Sequence, residues 1–520
     1  MRTFAIFFAL ASFATAQTPT FQTPTFEAAD VHTSTRITNP YTFASGGLLR
    51  GDRYDLRKAT MLNLIQAAYG VDPSKIAGGP SWLALDRFDV SAKAPADTSP
   101  ENLKLMLQSL LADRFKLAVH NDTRPLPAFA LSLGRAKHRL KEADPSSPTG
   151  CEYQSAGGSV SVSCQNLTLD AFAQSLADYA RDYLGRNPVV NSTALPGAWD
   201  FDLHWNSRAL AVPLGAERLT VFEAVEKQLG LQLDLRTAPS PVLVVDRANE
   251  KPTPNAPNIA QLLPPRPLEF EVAEIKLSRP EEMFNFRLLP SGRFEIQGFP
   301  MRIMMAAAWD IDFDHTDQLM ANIPKWADAK RFDVVAKTTP GSEPAGNGFI
   351  DDDLRLMLRS LLIERFKIAS HAEDRLIPAY TLTAVKPKLT KADPAHRSLC
   401  KEAGVVTNDP RDANPKLSRL LTCQNVTLAQ FAQQIQPLVP DEFATPVVDD
   451  SGLKGAFDFT LSFSRLGDLR TGDPTHPSDP SGGISLFDAL TKQLGLKLEL
   501  RKRMIPVVVI DHMEDKPSEN

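Results

Sequence analysis

Two histidines stand in matching surroundings, His120 and His371, each shortly after an Arg-Phe-Lys triplet (Arg114-Phe115-Lys116 and Arg365-Phe366-Lys367). An imidazole at the end of a strand could ligate a metal or act as a general base near neutral pH. Either role needs partners, and neither an HExxH motif nor a second matching histidine supplies them. A partly buried, hydrogen-bonded histidine is the preferred reading. Arg87, Asp89 and Lys93 recur as Arg331, Asp333 and Lys337, and their even spacing puts them on one side of a strand, opposite Phe88 and Val90. They could line a polar ligand site or form a solvated face; the solvated face is preferred. Trp82 and Trp326, each following a proline closely, could stack on a ligand but are expected to pack on the neighbouring strand. Trp82, Arg87, Asp89, Lys93 and His120 are therefore the candidate ligand-site residues.

Carboxylates give less. Asp246 and Asp511 end the last apolar runs, and Asp449-Asp450 follow Pro446-Val447-Val448. Paired carboxylates suit glycoside hydrolysis, but Asn191-Ser192 occupy the place corresponding to Asp449-Asp450. No GxSxG, HExxH, P-loop or Rossmann glycine pattern is present. No catalytic residue, cofactor or metal is expected.

These residues come in pairs because the chain is a tandem repeat. Residues 103–120 and 354–371 are identical at 12 of 18 positions, and residues 222–236 and 487–501 at 10 of 15. Cys164-Gln165-Asn166 returns as Cys423-Gln424-Asn425, and Pro188-Val189-Val190 as Pro446-Val447-Val448. The offset drifts from 240 (Arg53 to Arg293) to 265 (Phe222 to Phe487), so insertions fall between shared blocks, as loops permit and packed elements do not. Two domains follow, residues 17–250 and 269–520, joined by a proline-rich linker at 251–268.

Residues 1–16 read as a signal peptide, with Arg2, an apolar run from Phe4 to Leu10 and a small-x-small site at Ala14-Thr15-Ala16. That run is too short for a bilayer span, which needs about 20 apolar residues. A soluble, periplasmic or secreted protein is expected, without stable membrane insertion after signal cleavage. The net charge of −5 over 520 residues, with both signs mixed, gives no footprint for nucleic acid. The four cysteines fall two per copy, which in an exported chain reads as one disulfide in each: Cys151 with Cys164, and Cys400 with Cys423.

The elements that must position these residues are short helices among alternating strands, which gives an α+β class with helices on largely antiparallel sheet. A helix begins at Thr60 as N-cap and ends at Gly70; its counterpart has Asp310 there, so a different closure is expected. Leu103, Met106, Leu107, Leu110 and Leu111 form an apolar stripe at helical spacing, repeated from Leu354, and are expected in the core. Residues 115–120 and 128–133 read as a hairpin turning at Asn121-Asp122-Thr123-Arg124-Pro125. Helices start at Thr168 and Thr427, and capping boxes at Thr220/Glu223 and Ser485/Asp488 open the last ones, which end at Gly230 and Gly495. Strand, turn and strand then close each copy.

The string GGPSW-x4-RFDV-x-AK at Gly78 to Lys93, the LxLMLxSLLxxRFKL helix and PVV-x4-L-x-G-x-(W/F)-DF-x-L together resemble the bacterial domain-of-unknown-function family 3738. The resemblance covers essentially the whole chain after residue 16, as two copies. The second departs where Gly78-Gly79 become Asn322-Ile323. The family carries no assigned activity, so it implies no catalytic residue. Relatives fused to antirepressor-type membrane metallopeptidases would imply a sensing or interaction role. The closing helix–strand unit is also similar to short N-terminal modules of secretins and outer-membrane receptors.

The leading expectation is a non-enzymatic binding protein for a protein, peptide or carbohydrate ligand. A secreted hydrolase of polysaccharide or peptide, and an extracytoplasmic accessory of an envelope signalling system, are the alternatives. Each copy is expected to fold alone, and a ligand shared with single-domain relatives to bind the first.

Overall fold

Alternating apolar residues build a four-stranded antiparallel front sheet in each copy. In the first, Ala28–Thr33, Arg87–Lys93, Arg53–Thr60 and Ser45–Arg50 lie side by side. Phe88, Val90 and Ala92 turn inward, where helices Met61–Tyr69 and Pro100–Arg114 bury Leu64, Ile65, Leu107 and Leu111 against them. The second copy repeats this with Phe270–Leu277, Arg331–Thr338, Arg293–Pro300 and Asn285–Leu288 under helices Met301–Ala308 and Asp352–Phe366. The computed structural model describes residues 23–34, 44–185, 187–208, 219–264, 268–279, 283–289, 291–338, 352–394, 396–403, 409–414, 416–443, 445–469 and 482–519. The signal-peptide reading at 1–16 lies outside the described residues.

The first helix is closed by Thr60 and Asn63 in a reciprocal capping box and by Gly70 at φ 67°. Asp310 takes the same left-handed conformation in the counterpart, φ 60°, but the closing bonds differ as expected: Gly70 N–H donates to Gln66 O at 2.8 Å, whereas Asp310 N–H donates to Ala307 O at 3.3 Å and Ile311 N–H to Ala306 O at 2.9 Å. Asn322 likewise adopts φ 61° where Gly78 has 65°. Asp and Asn tolerate this region better than other residues with side chains.

The expected turn at residues 121–125 is corrected. Ala118–Leu133 is one strand, paired antiparallel along its length with a single strand Leu231–Arg247, and Ala369–Ala384 pairs in the same way with Leu496–His512. Pro125 faces Pro239. Neither proline can donate, so the ladder passes through a pair that needs no N–H from either. This long ribbon is the spine of each copy. One end joins the front core through Leu243 and Val245, and the other joins a rear core through Phe129, Leu131, Leu231 and Leu233.

The rear core packs helix Leu169–Tyr179 and the last helix on an antiparallel sheet containing Gly150–Ala156, Ser159–Thr168 and Ala198–Asn206. Thr168, Thr220, Thr427 and Ser485 cap as expected, and Gly230 and Gly495 end their helices at φ 69° and 67°. The disulfides Cys151–Cys164 and Cys400–Cys423 join residues directly opposite on neighbouring strands. No helix among the described residues is long and apolar enough to cross a membrane.

The copies meet through unlike faces, the front sheet of the first against the helix ends of the second's front core. Lys58 of the first reaches Asp310 at 2.9 Å and Asp352 at 3.1 Å in the second, and Arg57 reaches Asp353 at 2.9 Å. At the other end Arg208 lies 3.6 Å from the fully buried Asp409. The linker starts as a strap on the first copy, where Thr253 and Asn255 bond to the buried Arg114, and then forms a helical turn at Ile259–Leu262.

Candidate functional site

Polar residues that recur between the copies mostly have work inside the fold. Asp89 accepts from the backbone N–H of Lys58 and the Ser34 hydroxyl, both at 2.7 Å. Asp333 accepts from Gly298 N–H at 2.9 Å and from the Ser278 hydroxyl. Lys58 and Gly298 are the left-handed residues of a bulge in the front sheet, φ 51° and 72°. The rear sheet repeats the device: Asp200 and Asp458 accept from the backbone N–H groups of Asn166 and Asn425, at φ 46° and 48°. Each carboxylate thus fixes a backbone N–H that a bulge has removed from the ladder.

Arg87 donates to Lys58 O at 2.6 Å, and burial pushes its guanidinium below its ordinary range. Lys93 pairs with Glu27 at 3.2 Å. Trp82 packs edge-on to Phe88, their centroids 6.0 Å apart, at the margin of the front core. Arg87, Asp89 and Lys93 share one face of their strand, as the spacing predicts, but Arg87 and Asp89 both hold the backbone of Lys58 while Lys93 pairs apart from them with Glu27. His120 lies elsewhere, on the spine.

His120 and His371 are the exception to structural employment. His120 Nδ1 lies 2.9 Å from Asp246, with the two side chains 51% and 47% exposed. His371 Nδ1 lies 2.9 Å from Asp511, at 50% and 47%. Neither pair seals a core or caps a helix. The register explains how they meet: His120 faces Val244, and the ladder shifts between Val245 and Arg247, leaving Asp246 as the extra residue of a bulge. In the second copy His371 faces Val509, and Asp511 is passed over in the same way. A bulge re-aims a side chain, and here it turns the same carboxylate toward the same ring twice.

The strip continues along the strand with period two. Asp122 and Arg124 follow His120, paired at 3.0 Å, and Glu373 and Arg375 follow His371 as a second ion pair. His371 Nε2 is 3.5 Å from Glu373, so acid, imidazole, acid and guanidinium run in one line. Hydrogen bonding to Asp511, assisted by Glu373, raises the His371 pKa above its ordinary value. The Arg375 and Arg124 hydrogen bonds hold Glu373 and Asp122 below the usual carboxylate range. Sequence reading found the repeated histidines and Asp246 and Asp511, but not their contact or the acid and arginine at i+2 and i+4; the His-x-(Asp/Glu)-x-Arg repeat was the available signal.

A histidine held by a carboxylate can orient a proton or bind a polar group through Nε2. Among the described residues neither ring contacts a hydroxyl or thiol nucleophile, and no three His, Cys, Asp or Glu side chains converge as a metal requires.

The model of a family described as a protein of unknown function, DUF3738, matches residues 62–248 and again 302–513. The chain belongs to this family, in two tandem copies. Each match runs from the first helix to the spine strand bearing the dyad aspartate, and the second includes Asp511. No curated protein and no solved structure matches the chain.

Proposed function

We propose that this chain is an exported, non-enzymatic binding protein that takes a polar protein, peptide or carbohydrate ligand on the spine strips of its two copies. The observation that carries this reading is the exposed His–Asp dyad, aimed by a bulge at the same place in both copies and needed by neither core. The flanking Asp122/Arg124 and Glu373/Arg375 pairs offer acceptors and donors in a row on an extended strand face, a form suited to hydrogen-bonding ligands. Export is supported by the composition of residues 1–16 and by the two disulfides, which persist in oxidising compartments.

The test is to probe residues 17–520 on peptide and glycan arrays and, in parallel, on peptidase and glycosidase substrates. Binding without turnover, lost in the His120→Ala/His371→Ala double variant, is expected. Turnover abolished by Asp246→Asn or Asp511→Asn would replace this reading with a hydrolase.

A further inference from the structure

Several sheet edges in this molecule are closed by side chains. On the outer strand Ala28–Thr33 the buried Arg114 donates to Ala29 O and Val31 O at 3.1 and 3.4 Å, and Val31 N–H donates to the Asn255 side chain at 3.0 Å. Gln228 bonds both the N–H and the C=O of His204 at 2.9 and 2.7 Å, and Gln493 does the same to Ser462 at 3.0 and 2.7 Å. Each glutamine thereby closes a stretch of its rear-sheet strand beyond the two-residue outer strand that flanks it. Open backbone groups on an edge are a template for another strand, which is why folds cover them. The strand Gly150–Ala156 has no such cover. It is outermost in the first copy's rear sheet and pairs only with Ser159–Thr168. Cys151 and Cys164 stand 4.1 Å apart at Cα, the close spacing of an opposed pair that exchanges no ladder bonds. The N–H and C=O of Cys151, and by alternation those of Tyr153 and Ser155, therefore point away from the sheet. Among the described residues nothing bonds to them. The second copy covers the same position: Gln434 of helix Leu428–Leu438 accepts from Cys400 N–H at 3.3 Å. The corresponding residue of the first copy is Ser175, and its outer strand is seven residues long against four in the second.

We propose that this open edge pairs antiparallel with the same edge of a second molecule of the chain, with the two-fold axis passing through Tyr153. Outward-facing residues meet outward-facing residues across such a pair. An axis on Tyr153 pairs all seven residues and sets Glu152 opposite Gln154 of the other molecule on both sides, an acid facing an amide that can donate to it. An axis on Glu152 would oppose two carboxylates, and one on Gln154 would leave two residues of each strand unpaired. Tyr153 is 46% exposed and stacks on Tyr179 with ring centres 5.1 Å apart, so the axis also brings two exposed aromatic pairs together on the face that carries the helix. Glu152 and Gln154 lie on the other face, beside Ser163 and Ser161, so no charge enters the aromatic contact. A two-fold contact closes at two molecules, unlike the contact between the tandem copies. Seven residues of edge bury far less than the roughly 2,000 Å² of a permanent interface, so the pair is reversible and its population follows concentration.

Sedimentation equilibrium of residues 17–520 tests this. The mass is expected to rise with concentration from that of one chain towards twice that value. Tyr153→Lys, which sets two cations against each other on the axis, is expected to hold the chain monomeric, and Tyr153→Glu likewise. An equimolar mixture of the two variants is expected to recover the dimer, because residue 153 faces itself only in this register. Hydrogen exchange of the unsubstituted chain gives a readout that depends on no variant. On dimerisation the amides of Cys151, Tyr153 and Ser155 are expected to slow roughly tenfold, while those of Glu152 and Gln154, already in the ladder, do not change. A chain that stays monomeric up to millimolar concentration would overturn the proposal and leave the edge to an extended segment of another protein. A dimer that leaves these three amides unprotected, or that Tyr153→Lys does not weaken, would place the contact elsewhere and overturn it equally.

Discussion

At the scale of single residues, recurrence between the copies separates into carboxylates that hold backbone and carboxylates that face solvent. Asp333 is buried and bonds both Gly298 N–H and Ser278, so Asp333→Ala is expected to cost about 2–3 kcal/mol in urea denaturation by leaving a buried N–H unpaired. Asp333→Asn, which keeps an acceptor, should cost less. Asp89→Ala should cost less than Asp333→Ala, since Asp89 retains 23% exposure and water can replace it. Equal, near-zero costs would show that the bulges need no carboxylate. The dyad makes a different prediction. The His371 pKa is raised by Asp511, so the pairing is complete below the imidazole's ordinary pKa of 6.5 and is lost as pH rises through the raised value. Ring NMR should show Asp511→Asn moving the His371 titration downward; an unchanged midpoint would mean that Asp511 does not hold the proton.

At the scale of elements, caps, apolar stripes and strand alternation were legible in the sequence because each is set by local chemistry. The spine was not. Asp122-Thr123-Arg124-Pro125 has the composition of a turn, yet Pro125 lies opposite Pro239 in an unbroken ribbon, and only the partner strand makes that arrangement possible. The same misreading hid the site. With a turn at residue 121, Asp246 has no defined relation to His120, whereas in the continuous register it stands on the adjoining strand beside a bulge. Asp310 was opaque for another reason: sequence marks a left-handed residue when it is glycine, and here aspartate adopts that conformation. The disulfides were legible from their recurrence. Intact mass about 4 Da below the reduced value, with Cys151–Cys164 and Cys400–Cys423 peptides, is expected, because two bridges remove four hydrogens. Removing the first as a Cys151→Ala/Cys164→Ala pair should lower stability by about 3 kcal/mol, the loop-closure value for its 13-residue separation. Free thiols, or a bridge between copies, would contradict this pairing.

At the scale of the whole molecule, the copies differ where they touch. Lys58 stands at a left-handed position that is Gly298 in the second copy, and Asp310 at one that is Gly70 in the first; these two departures from glycine are bonded to each other at 2.9 Å. Gln297 replaces Arg57 and Asn102 replaces Asp353 on the faces not used, while Glu101 keeps the acid of Asp352 there, so the cations Lys58 and Arg57 that make this contact in the joined pair have no counterpart on the second copy's free face. A heterologous contact of this kind would otherwise extend into an open chain of units. Lys58→Gly is expected to destabilise the full chain by about 1–3 kcal/mol, since it leaves Asp310 and Asp352 without their shared cation despite relieving backbone strain. Asp310→Gly alone should be close to neutral, yet stabilising in the Lys58→Gly background. Additive effects in that double-mutant cycle would show that the ion pair does not couple the copies.

The central claim is that the two His–Asp dyads form the recognition surface. Its most direct test is histidine-ring NMR of the full chain during titration with the strongest array ligand, with His120 and His371 assigned through Gln variants. Both rings are expected to shift with saturation, while the ring of His315, only 3% exposed, stays in place. A ligand that saturates the protein and leaves His120 and His371 unmoved would contradict the claim.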